Sequence, residues 1–162
     1  MRQTLIVDAS FNHDTGATGI GIVIHQTSKM TGNRNGEIID EISESFLDIR
    51  SGHGEMLALF RAMQISKARG FKTIKLLSDF NAMRTALKES YREQAGYDRV
   101  GLFGEVMRLS REFYLVKFGY KERRKNQMAH KLARIGAKDI EPVRDEFLIE
   151  VCSASSPKLK AD

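Results

Sequence analysis

The chain has a single cysteine, Cys152, in 162 residues, so neither an intrachain disulfide nor a cysteine-based metal site can form. A reducing compartment is expected, with Cys152 in a packing role. No apolar run approaches the roughly 18 to 20 residues that span a bilayer. Met1-Arg2-Gln3 leads straight into an apolar stretch without a signal-peptide pattern. These absences predict a soluble, intracellular, cytoplasmic protein with no membrane partner. No internal repeat is present, and no obligate protein partner is inferred. A hydrophobic content of 41% argues against wholesale disorder, and the length suits one domain with a substantial core. Positive charge is in modest excess, 26 Lys plus Arg against 21 Asp plus Glu. That net +5 is compatible with a polyanionic partner but does not require one. It gathers in Lys121-Glu-Arg-Arg-Lys125.

The chain is organised around Thr4-Leu-Ile-Val-Asp8-Ala-Ser10. Leu5, Ile6 and Val7 are apolar on both faces, which suits a central strand, and Asp8 falls where that cover ends. Asn12-His-Asp-Thr-Gly16 reads as a turn and Gly19 to His25 as a second strand, able to pair with the first as a hairpin. Thr27 to Gly36 carries a loop composition, and Glu37 to Ile49 is the third strand, with one face polar enough to meet solvent. Ser51 is placed to cap a helix on which Met56, Leu59, Phe60 and Met63 recur at helical spacing before Gly70. Lys72 to Ser78 is a short strand delivering Asp79, and Asn81 to Lys88 begins a further helix that Gly96 interrupts. A helix from about Asp98 to Arg111 carries Leu102, Val106 and Leu109 on one stripe. It precedes the strand Tyr114 to Phe118. The last clear helix starts near Asn126, with Met128, Leu132 and Ile135 on its core side, extended by Ala129 and Ala133. Pro142 breaks the pattern, Phe147 to Val151 is either a short strand or a docked segment, and Ser153 to Asp162 reads as a tail. The boundaries expected are a domain over 1–138, an extension over 139–152 and a tail over 153–162.

Asp8, Glu55 and Asp79 all fall at element ends. Parallel neighbours ending in Asp8 and Asp79 would bring both to one sheet edge, and a crossing helix could add Glu55. Each alone admits a structural role: a turn for Asp8, a helix N-terminus for Glu55, a cap for Asp79. Together they would repel unless one held a proton or cations were bound, and oxygen ligands favour Mg²⁺ or Mn²⁺.

Asp8-Ala-Ser10 followed by Gly19-Ile-Gly-Ile-Val-Ile resembles the opening of type 1 ribonuclease H, where Asp-Gly-Ser precedes a glycine-containing second strand. Gly54-Glu55-Met-Leu-Ala-Leu resembles that family's helix with a catalytic Glu, and Leu77-Ser-Asp79-Phe-Asn81 its Ser-Asp strand end. Arg123-Arg-Lys-Asn126-Gln-Met-Ala129-His130-Lys-Leu132-Ala133 is similar to the Arg-x-x-Asn-x-x-Ala-Asp-x-Leu-Ala motif of the compact, plant- and reverse-transcriptase-like branch. The motifs cover about residues 3 to 137. The resemblance implies an α/β fold with a five-stranded mixed sheet of order 3-2-1-4-5 flanked by helices. It also implies that Asp8, Glu55 and Asp79 hold two divalent cations for in-line hydrolysis of a phosphodiester, leaving 5′-phosphate and 3′-hydroxyl ends.

The departure is His130, where the family has a fourth Asp. A helical wheel places it four residues from Asn126 and away from Met128, Leu132 and Ile135, so it shares the site face or simply meets solvent. As a fourth ligand it removes one negative charge and suits Mn²⁺ better than Mg²⁺. Reduced activity or a preference for Mn²⁺ follows as an expectation. The loop Phe118 to Lys125 lacks the mobile histidine that some relatives carry. Arg123, Arg124 and Lys125 either contact phosphate or form a solvated loop; cations beside a helix N-terminus oppose its dipole, which favours an anion there. Ser10, Asn12 and Asn81 match positions at which the family reads 2′-hydroxyls. The family's paired Asn before the catalytic Glu is replaced by Ser51-Gly52-His53-Gly54, with His53 expected as a plain loop residue. Phe11 and Phe80 either pack inside or contact nucleic acid. The expected activity is cleavage of the RNA strand of an RNA/DNA hybrid. Asp8, Glu55, Asp79 and His130 are the expected catalytic and metal-binding residues, and Asn126 orients the last helix or a nucleic-acid group. The alternatives are a nucleic-acid-binding module with weak catalysis and a nuclease for another structured substrate.

Overall fold

The protein is seen in a computed structural model that describes residues 2–27, 36–50, 52–80 and 101–153. Strand β1 (Arg2–Phe11) is the centre of a five-stranded sheet. It pairs antiparallel with β2 (Thr18–Thr27) and parallel with β4 (Thr73–Ser78). Outside these, β3 (Glu37–Phe46) lies antiparallel on β2 and β5 (Leu115–Tyr120) parallel on β4, giving the order 3-2-1-4-5. This is the α/β mixed sheet expected from the sequence. The β1–β2 turn is closed by Asn12 N–H on the Ala17 carbonyl at 2.8 Å and Gly16 N–H on that of Asn12 at 2.7 Å. Gly16 there has φ +78°, a conformation that glycine adopts without strain.

The pleat of β1 sends Leu5 and Val7 into the main core and Ile6 into a smaller cluster on the opposite face. Helices α1 (Gly54–Ala68), α2 (Gly101–Ser110) and α4 (Glu146–Ser153) build the main side. Helix α3 (Gln127–Asp139), preceded by a short 3-10 turn over Arg123–Lys125, lies on the other. Because the sheet and α2 pack on α1 and Phe147 of α4 meets Phe60, the helix is buried on most of its circumference, Leu57, Ala58 and Ala62 joining the expected Met56, Leu59, Phe60 and Met63. Arg61 ties α1 to β3 through a paired contact with Glu44, Nε to Oε1 at 2.8 Å and Nη2 to Oε2 at 2.7 Å.

Two expectations are corrected and one alternative is decided. Helix α3 does not face the core through Met128, which is exposed, nor mainly through the half-buried Leu132 and Ile135; its buried residues are Ala129, Ala133, Gly136 and Ala137. The reason lies on the facing strand. A Cβ on Gly19 would stand 2.1 Å from the Ala133 carbonyl oxygen, and one on Gly21 2.1 Å from that of Ala129. Backbones this close leave room for nothing larger than alanine. Second, Phe147 to Val151 is the docked segment rather than the short strand, and it is helical: the Asp145 carboxylate accepts from Leu148 N–H at 3.0 Å, capping α4 as it starts. Leu148, Val151 and Cys152 then dock in the main core, where burial pushes the Cys152 thiol up to about 11. Third, the N-cap position of α1 is held by His53, not Ser51, and carries no side-chain cap; Ser51 itself lies outside the described residues. Also outside them are the helix expected over 81–88, most of the loop over 28–35 and the tail over 154–162.

Between α3 and α4 the chain returns to the sheet. Val143 N–H donates to the Ser45 carbonyl at 2.8 Å and its own carbonyl accepts from Leu47 N–H at 3.0 Å, a parallel bridge at the end of β3. No described helix is long and apolar enough to cross a membrane.

Candidate active site

Strand register puts Asp8 and Asp79 side by side, because β1 and β4 are parallel neighbours with Ile6 opposite Leu77, and each carboxylate lies two residues beyond that pair. Glu55 enters from the first turn of α1. One carboxylate oxygen from each of the three lies within 4.8 Å of the others. Asp8 is buried, while Glu55 and Asp79 are partly so.

Burial and crowding decide the charge state. Glu55 is pushed to about 9, first by burial, then by the charges of Asp8 and Asp79 and by a hydrogen bond shared with Asp8. Its Oε2 is buried without a partner among the described residues. Asp79 is also raised, by burial and then by Asp8, against the opposing pull of Arg123 and His130. A neutral Glu55 beside an unsatisfied buried oxygen is what a carboxylate cluster becomes without its counter-charge. The donor set is all oxygen and anionic when ionised, which fits hard divalent cations such as Mg²⁺ or Mn²⁺.

His130 comes to the same place from α3. Its Nδ1 stands 2.8 Å from Asp8 Oδ2, while Asp8 Oδ1 accepts from Ala9 N–H at 2.9 Å. A carboxylate can only accept, so the Nδ1 N–H donates to it, and Nε2 is not engaged by Asp8. The alternative of a solvent-facing histidine without a partner is therefore set aside. Asn126, buried at 2% exposure, is the N-cap residue of α3, and its amide Nδ2 donates to the Val7 carbonyl at 3.2 Å. It ties the start of α3 to the residue before Asp8.

The other expected residues separate. Ser10 lies half-buried on β1, beside a groove of about 190 Å³ lined by Ala9, Phe11, Thr18, Arg50 and Glu55. Asn12 is engaged within the fold, its Nδ2 on the Ala137 carbonyl at 3.0 Å and its Oδ1 accepting from Asp14 N–H at 3.0 Å. Arg123, Arg124 and Lys125 are exposed on the turn before α3; Arg124 pairs with Glu122 at 3.3 Å, and the field of Arg123 reaches Asp79. Phe11 and Phe80 are each 40% exposed and so are not core residues. Asn81 lies outside the described residues. Arg50 was not singled out from the sequence; its signal was a lone cation next to the Ser51-Gly52-His53-Gly54 stretch that enters α1.

The family described as reverse transcriptase-like matches residues 6–136, which include Asp8, Glu55, Asp79 and His130. The chain belongs to that family. This reverse transcriptase-like chain shares its fold with type 1 ribonucleases H. The RNase H1 of the halophilic archaeon Halobacterium salinarum superimposes at a TM-score of 0.68 and 18% identity, over 86% of this chain and 100% of that one. The N-terminal RNase H domain of a Mycobacterium tuberculosis protein gives 0.64 and 15%, over 84% and 93%. LC11-RNase H1, solved in complex with an RNA/DNA hybrid, gives 0.59 and 18%, over 80% and 92%. No curated protein matches in sequence.

Proposed function

We propose that the protein is a divalent-metal-dependent endonuclease that hydrolyses the RNA strand of RNA/DNA hybrids, leaving 5′-phosphate and 3′-hydroxyl ends. The observation that carries the reading is the convergence of Asp8, Glu55 and Asp79 with an unsatisfied, proton-holding Glu55 at its centre. The hybrid bound to the similarly folded LC11-RNase H1 supports the choice of substrate. Asp8, Glu55 and Asp79 would hold two cations, with His130 Nε2 as a fourth donor. Bound there, such a pair supplies an activated water and neutralises the departing 3′ oxygen.

The chain's own groups prepare the site. Ala9 N–H and His130 hold Asp8 in one orientation, a hydrogen-bonded second layer of the kind that orients metal ligands. Glu55 holds a proton until positive charge arrives, and releases it on loading. The positive field of Arg123 at Asp79 marks where a phosphate would lie, with Arg124 and Lys125 beside it. Ser10 and Arg50 line the groove beside Glu55, where polar groups could read the RNA strand, and Asn126 fixes the helix that carries His130. The imidazole in place of a carboxylate favours Mn²⁺ over Mg²⁺.

One observation favours a second reading, a nucleic-acid-binding module with weak catalysis: His130 already occupies an oxygen of Asp8 that a cation would need. Cleavage of labelled RNA/DNA hybrid in Mg²⁺ and in Mn²⁺, with RNA duplex and DNA duplex alongside, separates the two. Hybrid-selective cleavage that Asp8→Asn abolishes and His130→Asp shifts toward Mg²⁺ is expected. Hybrid binding without cleavage in either metal would establish the binding module instead, and faster cleavage of either duplex would move the activity to another substrate.

A further inference from the structure

Helix α3 packs on β3, β2 and β1, and no described element lies over β4 and β5 on that side of the sheet. Strand alternation places Thr73, Lys75 and Leu77 of β4 and Leu115, Lys117 and Gly119 of β5 there, since Ile74, Leu76 and Phe118 face the main core. Leu115, at 41% exposure, and Lys117 are exposed on it, while Thr73, Lys75, Leu77 and Gly119 are half-buried. Lys75 and Lys117 are in register on adjacent strands. Like charges directly opposite one another are destabilising. Yet neither lysine forms an ion pair with a described residue, and β1, β4 and β5 bring no acidic residue to this side before Asp8 and Asp79.

The positive row continues at both ends. Lys121 N–H bonds the Ser78 carbonyl, so the β5 register extends one step to the level of the site. The Lys121 ammonium is held below its ordinary value by burial and then by Lys125, and it lowers His25, which burial lowers most. Alternation from Lys117 and Gly119 puts Lys121 on the same side of the sheet. At the far end Arg2 of β1 has a buried Nε without a partner among the described residues.

Dimensions select the occupant. Asp79 lies four positions beyond Lys75, about 13 Å of strand, and two strands make a ledge roughly 10 Å wide. With α3 as a wall on one side, that width matches one sugar-phosphate backbone. We propose that the β4–β5 ledge binds a single nucleic-acid strand, an unpaired extension running from the hybrid held at the carboxylate cluster, through phosphate contacts from Lys121, Lys117 and Lys75. This rests on the hybrid reading of the cluster, but its test can be read separately.

Anisotropy in chelator, where no cleavage occurs, compares a short blunt hybrid with the same hybrid carrying a six-nucleotide single-stranded extension at either end. For the parent, one polarity of extension should tighten binding about tenfold. Lys75→Ala/Lys117→Ala should remove that gain and lower the salt slope by about 1.4, at roughly 0.7 per single-strand phosphate contact. Binding of the blunt hybrid should not change, nor should its cleavage with metal. Circular dichroism checks the fold, which the removal of a like-charge pair from this face should leave intact. An extension gain that survives the double substitution, or a parent that gains nothing from either extension, overturns the ledge. Equal loss on blunt and extended hybrids does so too. A parent that shows the lysine-dependent gain yet never cleaves hybrid would overturn the nuclease reading and leave the ledge standing.

Discussion

Glu55→Gln isolates the electrostatics of the carboxylate cluster. In the metal-free chain Glu55 titrates at about 9, against its ordinary 4.5 when unfolded. Between those values the folded chain keeps a proton that the unfolded chain has released. The stability this group contributes is therefore complete below 4.5 and falls as pH rises toward 9. One proton of difference is worth about 1.4 kcal/mol per pH unit, so raising the pH from 5.5 to 7.5 should cost the parent about 3 kcal/mol through Glu55 alone. Glutamine has the same shape, keeps a donor for Asp8 and does not titrate. Urea denaturation of both proteins in chelator at the two pH values measures the difference directly. The parent should lose about 3 kcal/mol relative to the variant over that interval. Asp79, also raised, adds a slope of the same sign to both proteins. Mn²⁺ added at the higher pH should raise the midpoint of the parent much more than that of the variant, because loading replaces the proton that Gln cannot release. Parallel pH profiles for parent and variant would refute the assignment of a proton to Glu55.

Two further outcomes test the scaffold. Gly21→Ala puts a methyl 2.1 Å from the Ala129 carbonyl oxygen and 2.5 Å from the Ala133 nitrogen, backbone atoms that cannot swing away. It should cost at least about 1 to 3 kcal/mol in chemical denaturation, and a change below about 0.5 kcal/mol would show that α3 floats on β2. Leu148→Ala empties a fully buried site where α4 meets the main core and should cost about 2 to 5 kcal/mol. Removing the chain after Asp139 should destabilise at least as much, and a truncated protein with unchanged midpoint would show that α4 is dispensable.

Much of this arrangement could be read from residue types in order. Leu5, Ile6 and Val7 announce a strand covered on both faces, and the position of Asp8 after them survives unchanged in three dimensions. The α1 periodicity and the Ser78-Asp79 strand end were equally legible, because each signal is local. What was hidden depended on a partner. The core side of α3 could not be chosen from its own hydrophobic residues, since the glycines of β2 select alanine and turn Met128 outward. Helix α4 was ambiguous because its short apolar run fits either period, and the Asp145 cap decides it. Asn12 looked available until the carbonyl of Ala137, distant in sequence, proved to be its partner. The pairing of His130 with Asp8 was visible only as a shared face; its 2.8 Å contact is a product of how closely α3 rides on β2.

That close ride bears on how such a site can change through descent. Helix α3 is held by main-chain and methyl contacts at Gly19, Gly21, Ala129 and Ala133, none of which involves the side chain at position 130. The mounting and the chemistry it carries are thus separable. A change of side chain at that one position needs no compensating change beneath it, so the face that meets Asp8 can vary in a single step while the helix stays where it is. The mounting itself has no such freedom.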